Sequence, residues 1–147
     1  MTSGVSVRAS VDDDRGAIQR LQERLRSDLV DQKGGVALMA TVTPLGDDAT
    51  VTWIGLIGTV PVGLAVAGLV PQRDGTGRAV VETIYVEPEA RAVGVGTALM
   101  RVVRAWAIEH DAVAIDATVL PGDRASKNFF ERHGLVARAI TVRAPLR

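Results

Sequence analysis

The segment Val86-Glu87-Pro88-Glu89-Ala90-Arg91-Ala92-Val93-Gly94-Val95-Gly96 sets a strand end, a turn, an arginine and two spaced glycines directly before a helical pattern. The apolar run from Ala79 to Val86 supplies the strand, and Leu99, Val102, Val103 and Trp106 mark one side of the following helix. A chain built this way delivers a strand into the start of a helix. The first amides of a helix have no partner inside it, and the helix dipole concentrates positive potential there, so the junction favours an anion. Gly94 and Gly96 remove Cβ atoms that would hold an anion away, and they open backbone angles that other residues avoid.

Two other glycine-rich readings fail on spacing. A dinucleotide fingerprint requires a third glycine three residues after Gly96, where Leu99 stands, and no Gly-Lys-Ser/Thr string completes a P-loop.

The string Arg91-x-x-Gly94-x-Gly96, preceded by Val86-x-Pro88, resembles the acyl-coenzyme A pyrophosphate loop of the GCN5-related N-acetyltransferase (GNAT) superfamily. A second block, Asp123-x-x-Ser126-x-x-Phe129-Phe130-Glu131-Arg132-His133-Gly134-Leu135, resembles that family's closing helix. With the strand before the first block and the helix after it, residues 80–108, the two blocks cover about a third of the chain. The resemblance implies an α/β (α+β) fold: a mixed, mostly antiparallel, twisted central sheet with helices on both faces. It also implies a splay between the strand ending at Val86 and the strand near Asp116, with the cofactor's pantetheine arm in the gap. One such domain is expected over residues 1–147, a length suited to one core.

The rest of the chain reads as strand, helix, hairpin, strand, helix, strand, helix, strand. Val5 to Arg8 is a short strand; Asp12-Asp13-Asp14 caps a helix carrying Ile18, Leu21, Leu25 and Leu29 as an apolar stripe. Residues 50–57 and 62–69 form a hairpin around Gly58-Thr59-Val60-Pro61. A turn at Arg73–Gly77 leads into the strand ending at Val86. Residues 112–120 read as a strand, 124–132 as a helix and 135–142 as a last strand, whose edge offers a place for a homodimer to pair. Residues 36–48 give no clear pattern, and the 30–48 segment is where acceptor-binding loops lie in the family.

The resemblance assigns acetyl-coenzyme A as co-substrate and an amine as acceptor. Cofactor contacts fall on Ile84, Tyr85, Val86, Arg91, Ala92, Val93, Gly94, Val95, Gly96, Thr97, Asp123 and Ser126. Ile84, Tyr85 and Val86 offer backbone that pairs with pantetheine and polarises the thioester. Arg91 and the amides through Thr97 meet the phosphates. For Asp123, a plain helix N-cap is an equal alternative.

The family's general-acid tyrosine aligns with Phe130, which cannot donate a proton, and Tyr85 falls on the opposite strand face from Ile84 and Val86 by alternation. Water or Ser126 is the remaining donor. Glu82 is the candidate base, placed by alternation on the side of Ile84 and Val86, and a solvent-facing carboxylate is the competing reading. With Glu87 it would suit a cationic amine. His110 and His133 fall at helix ends, where the ring meets free carbonyls; Asn128 reads as surface and Trp106 as core.

The expected function is therefore acetyl transfer to a primary amine of a small molecule or protein. The alternative is an acyl-coenzyme A-binding module with little or no catalysis. Lys+Arg and Asp+Glu number 17 each, so no overall field draws the chain to nucleic acid or an anionic membrane. With no cysteine there is no thiolate metal site or cysteine nucleophile; no metal is expected, and a reducing cytoplasm is compatible. The start lacks a secretion-signal pattern, and the apolar region from Val60 to Val70 is too short to span a bilayer as a helix, so a cytoplasmic protein is expected.

Overall fold

The computed structural model describes residues 4–30, 50–120 and 122–147. Nearly all of the 30–48 acceptor segment lies outside the described residues. Five strands, β1 (Val5–Ala9), β2 (Thr50–Ile57), β3 (Val60–Pro71), β4 (Gly77–Val86) and β5 (Ala112–Ala117), lie side by side in chain order. The first three pairings are antiparallel and β4–β5 is parallel, as the connections dictate: hairpins join β2, β3 and β4, whereas a helix crosses from β4 to β5. Among the described residues the helices are α1 (Arg15–Val30), α2 (Val95–Glu109) and α3 (Arg124–Arg132).

Strand alternation splits the core into two layers. Leu21 of α1 packs with Ile54, Leu56, Leu64, Val66 and Tyr85, joined by Ile18 and Leu25. On the other face Leu99, Met100 and Val103 of α2 and Phe130 of α3 pack on Trp53, Ala65, Ala67 and Val81. Helices thus cover both faces of a mostly antiparallel sheet, as expected. Trp106 meets Trp53 edge-on at 5.4 Å, consistent with its core assignment.

Asp12–Asp14 forms a short 3-10 turn before α1. Asp14 accepts two bonds from the Arg8 guanidinium, at 2.6 and 2.9 Å, and a third from the Val11 amide at 2.8 Å. Asp14 thus clamps the Arg8 side chain and the Val11 backbone, and among the described residues no group of His, Cys, Asp and Glu could hold a metal ion. No described helix is long and apolar enough to cross a membrane.

One expected element is absent. Residues 135–142 form no strand, and Val136, Ile140 and Val142 are 56%, 87% and 89% exposed. Alternation marks a possible strand face but supplies no neighbouring strand to accept its backbone bonds. The C-terminal strand edge expected to pair between copies is therefore not formed in the described chain.

Candidate cofactor and acyl-transfer site

The glycine turn sits where the sheet hands the chain to α2. Pro88 opens a 3-10 turn over Pro88–Ala90, residues 91–94 are exposed, and Gly94 caps α2 at φ +97°, a left-handed angle that glycine adopts without strain. A Cβ at Gly94 would meet no atom within 4 Å, so the space in front of the turn is open. The amides of Val95, Gly96 and Thr97 are those that an α-helix leaves without intrahelical partners. Ala98 is the first to bond back, donating to the Gly94 carbonyl at 3.0 Å. An open turn in front of unpaired amides is the donor set an anionic diphosphate needs.

A pair of glycines seats this turn against the sheet. Gly55 and Gly63 face each other across β2 and β3. A Cβ at Gly55 would lie 2.7 Å from Val95 Cγ1; one at Gly63 would lie 2.9 Å from the Tyr85 carbonyl and 3.2 Å from Val95 Cγ1. Val95 is 1% exposed. The first turn of α2 can sit this close to the strands only because neither position carries a side chain.

Gly96 has a packing role that its spacing did not reveal: a Cβ there would approach Phe129 Cε1 to 2.9 Å. It lets α3 lie across the start of α2. Ala92, by contrast, adopts φ +67°, unusual for a residue with a side chain.

The β4–β5 ladder ends at Val81 with Ala117, whereas β4 continues to Val86. This parting lies where the splay was expected. Ile84 and Val86 pack on the α2 layer and Tyr85 on the α1 layer, so the alternation expected there is observed. It breaks at Glu82. Val66 pairs with Thr83 and Ala67 with Val81, so the register skips Glu82. Val81 and Ile84 consequently share a layer although three residues apart. The alternation argument that set Glu82 beside Ile84 does not survive this bulge.

Arg91 turns back toward the sheet. Its Nε donates to the Val86 carbonyl at 2.9 Å, Nη2 lies 4.0 Å from Asp28 Oδ2, and the guanidinium stands 5.8 Å from the Tyr85 ring centroid. Glu87 is not an available acid or base: Arg20 holds it at 2.5 Å and Arg24 bonds its other oxygen. Arg24 also pairs with Glu89, and these pairings neutralise Glu87, one of the two carboxylates expected to attract a cationic amine. Arg20, Arg24 and Asp28 recur every four residues, a polar stripe on α1 that the apolar pattern obscured.

Tyr85 is 5% exposed and its hydroxyl donates to Asp28 Oδ2 at 2.9 Å. Burial, then the Asp28 bond, pushes the phenol up to about 12. At neutral pH it is a fixed hydrogen-bond donor, turned away from the Ile84 layer.

Asp123 is the N-cap of α3, its Oδ1 accepting the Ser126 amide at 3.1 Å. Phe130 is 7% exposed within the α2 layer. Asn128 is exposed. His110 lies with Nδ1 2.9 Å from the Trp106 carbonyl, the helix-end contact expected of it. His133 instead stands against the first turn of α2, Nε2 3.5 Å from Thr97 Oγ1, its ring tilted on Phe129. Burial, with Arg132, Arg104 and Arg101 nearby, holds its pKa below the usual histidine value.

The sequence profile of the Acetyltransferase (GNAT) family matches residues 17–135, and the chain belongs to that family. An acetyltransferase from Trypanosoma brucei superposes with a TM-score of 0.72 at 21% identity, covering 97% of this chain and 99% of the other. Ribosomal-protein-alanine N-acetyltransferase from Brucella melitensis biovar Abortus 2308 gives 0.74 at 17% identity, with 97% and 99% covered. An aminoglycoside acetyltransferase from an uncultured soil metagenomic sample, solved with sisomicin, gives 0.75 at 11% identity, with 98% and 97% covered. At these identities the likeness is one of fold. Comparison with curated proteins returns no match.

Proposed function

We propose that the chain is one acyl-coenzyme A-binding domain that transfers an acetyl group from acetyl-coenzyme A to a primary amine. The observation that carries this reading is the open left-handed turn at Gly94, beside the stretch of β4 that runs past its parallel neighbour. The N-terminal amides of α2 would hold the diphosphate. The backbone of Ile84, Tyr85 and Val86 would align the thioester arm along the parted edge.

In the reaction the amine nitrogen bonds to the acyl carbon, the carbon–sulfur bond breaks with its electron pair on sulfur, and the extra proton leaves the nitrogen. Fixed N–H groups aimed at the acyl oxygen would stabilise the charge that develops there. Glu82, at the bulge, is the proposed base, directly or through water. Tyr85 is not the acid, because it is raised to about 12 and committed to Asp28. Two of the similar folds are named for an acceptor, one a ribosomal-protein alanine and one aminoglycosides; these names support an amine acceptor without selecting one.

Thiol release from acetyl-coenzyme A, measured against panels of amines, alcohols and carboxylic acids, tests the assignment. Release that depends on an amine supports it, and release confined to alcohols or acids refutes the amine. Phe130 favours a second reading, a module that binds the coenzyme and turns over slowly, because a buried phenyl ring has no proton to give the departing thiolate. Faster release in Phe130→Tyr would show that the missing hydroxyl limits the rate.

A further inference from the structure

One face of α1 holds a single stretch of chain at every second residue. Tyr85 donates its hydroxyl to Asp28 at 2.9 Å, and Glu87 accepts from Arg20 at 2.5 Å and from Arg24. Glu89 accepts from Arg24 as well, and Arg91 Nη2 lies 4.0 Å from Asp28 Oδ2. Of the residues between, Val86 packs in the α2 layer and Ala90 is buried. Arg20, Arg24 and Asp28 follow one another at steps of four, so they share a face of the helix.

The stretch held in this way joins the two halves of the proposed coenzyme site. Before it runs the β4 backbone assigned to the thioester arm, and after it comes the Gly94 turn assigned to the diphosphate. Between them the chain makes one 3-10 turn and an exposed run over residues 91–94. A molecule that engages both halves gains full affinity only where their separation is already fixed, because motion of the linking stretch is entropy lost on binding. Glu89 and Arg91 are exposed, and ion pairs open to solvent add little to overall stability. Gathered on one short segment, they set its position.

We propose that Arg24 is a positioning residue for the acyl donor: its guanidinium fork, bridging Glu87 and Glu89, fixes the separation between the thioester backbone of β4 and the diphosphate turn at Gly94. The inference rests on the coenzyme reading above and deepens it. Arg24 acts through the two carboxylates and touches no part of the coenzyme itself. Arginine is suited to this, since its planar head donates in two fixed directions, Nη1 to Glu87 and Nη2 to Glu89. Arg20 divides its bonds between Glu87 and the Pro61 carbonyl of β3, so Arg24 is the residue that spans the stretch.

The test is calorimetric titration of acetyl-coenzyme A into the wild type, Arg24→Met, Arg24→Lys, Glu89→Gln and Arg8→Met. ADP competes as a probe of the diphosphate half alone, and melting temperatures are the folding control. Arg24→Met is expected to bind acetyl-coenzyme A roughly tenfold more weakly, while its affinity for ADP stays within about twofold of wild type. Arg24→Lys is expected to resemble Arg24→Met, because one ammonium keeps the charge without the fork. Glu89→Gln, at an exposed side chain that tolerates the change whether or not Arg24→Met folds, is expected to show a loss of roughly threefold. Arg8→Met breaks the Arg8–Asp14 pair without touching the clamp and should bind as wild type does. Unchanged acetyl-coenzyme A affinity in Arg24→Met or Glu89→Gln, full rescue by lysine, an equal loss for ADP, or the same loss in Arg8→Met overturns the positioning role. Failure of ADP to displace acetyl-coenzyme A from the wild type removes the diphosphate half and overturns it too. A wild type that does not bind acetyl-coenzyme A refutes the coenzyme reading itself, and the positioning role with it.

Discussion

The Tyr85 hydroxyl bonds Asp28 Oδ2 at 2.9 Å across 57 residues of sequence, tying the end of β4 to α1 immediately before the glycine turn. Arg91 approaches the same carboxylate oxygen at 4.0 Å while holding the Val86 carbonyl. The turn is therefore braced from the α1 layer.

Because the chain has a single tyrosine, the phenolate absorbance has one source. It is expected to titrate near 12 rather than near the ordinary value of about 10, and Asp28→Asn should lower it part of the way, since burial is the larger cause. The raised value stabilises the fold below pH about 10, and that contribution is lost as pH rises through about 12. An ordinary tyrosine titration in the wild type would contradict the buried bond.

Gly55→Ala should destabilise the protein by about 1–3 kcal/mol, because its methyl would meet the stiff, buried Val95 side chain at 2.7 Å. Val95→Ala in the same background should recover part of that loss by vacating the space. Denaturant unfolding of the two single variants and the double variant measures the coupling. Strict additivity would show that the two residues do not collide.

Ala92 carries its side chain at φ +67°, a left-handed angle costing a non-glycine residue about 1–2 kcal/mol. Ala92→Gly relieves that strain but frees the unfolded chain, so a net gain of up to about 1 kcal/mol is expected by denaturant unfolding. A loss of stability would show that the methyl contributes packing exceeding the strain.

Asp14 is held well below the usual carboxylate range, near 2, first by the Arg8 guanidinium and then by the Val11 amide. Its contribution is present above the ordinary aspartate value of about 4 and is lost as pH falls toward 2. Asp14→Asn should be less stable at neutral pH and show a smaller further loss between pH 4 and 2 than wild type, as followed by circular dichroism.

Much of the fold was legible because its elements carry their own periodicity and punctuation. The hairpin of β2 and β3, the strand into Val86 and the helix stripe of Leu99 and Val103 all fall where the apolar spacing puts them. The glycine turn was legible for a related reason, since Gly94 adopts φ +97°, an angle that favours glycine. The misses share a different cause. The skipped register at Glu82, the seat that Gly55 and Gly63 make for Val95, and the clamp of Arg20 and Arg24 on Glu87 all depend on residues brought together from distant segments. Residues 135–142 show the converse, an alternating pattern without the neighbouring strand that would make it one.

The most direct measurement is calorimetric titration of acetyl-coenzyme A into the wild type and Gly94→Asp, each checked for folding. The account predicts saturable binding by the wild type and its loss in the variant, where a carboxylate would project from the turn into the space assigned to the diphosphate. A folded Gly94→Asp protein that binds acetyl-coenzyme A as tightly as wild type, or a wild type that does not bind it, would contradict the assignment of this turn as the coenzyme site.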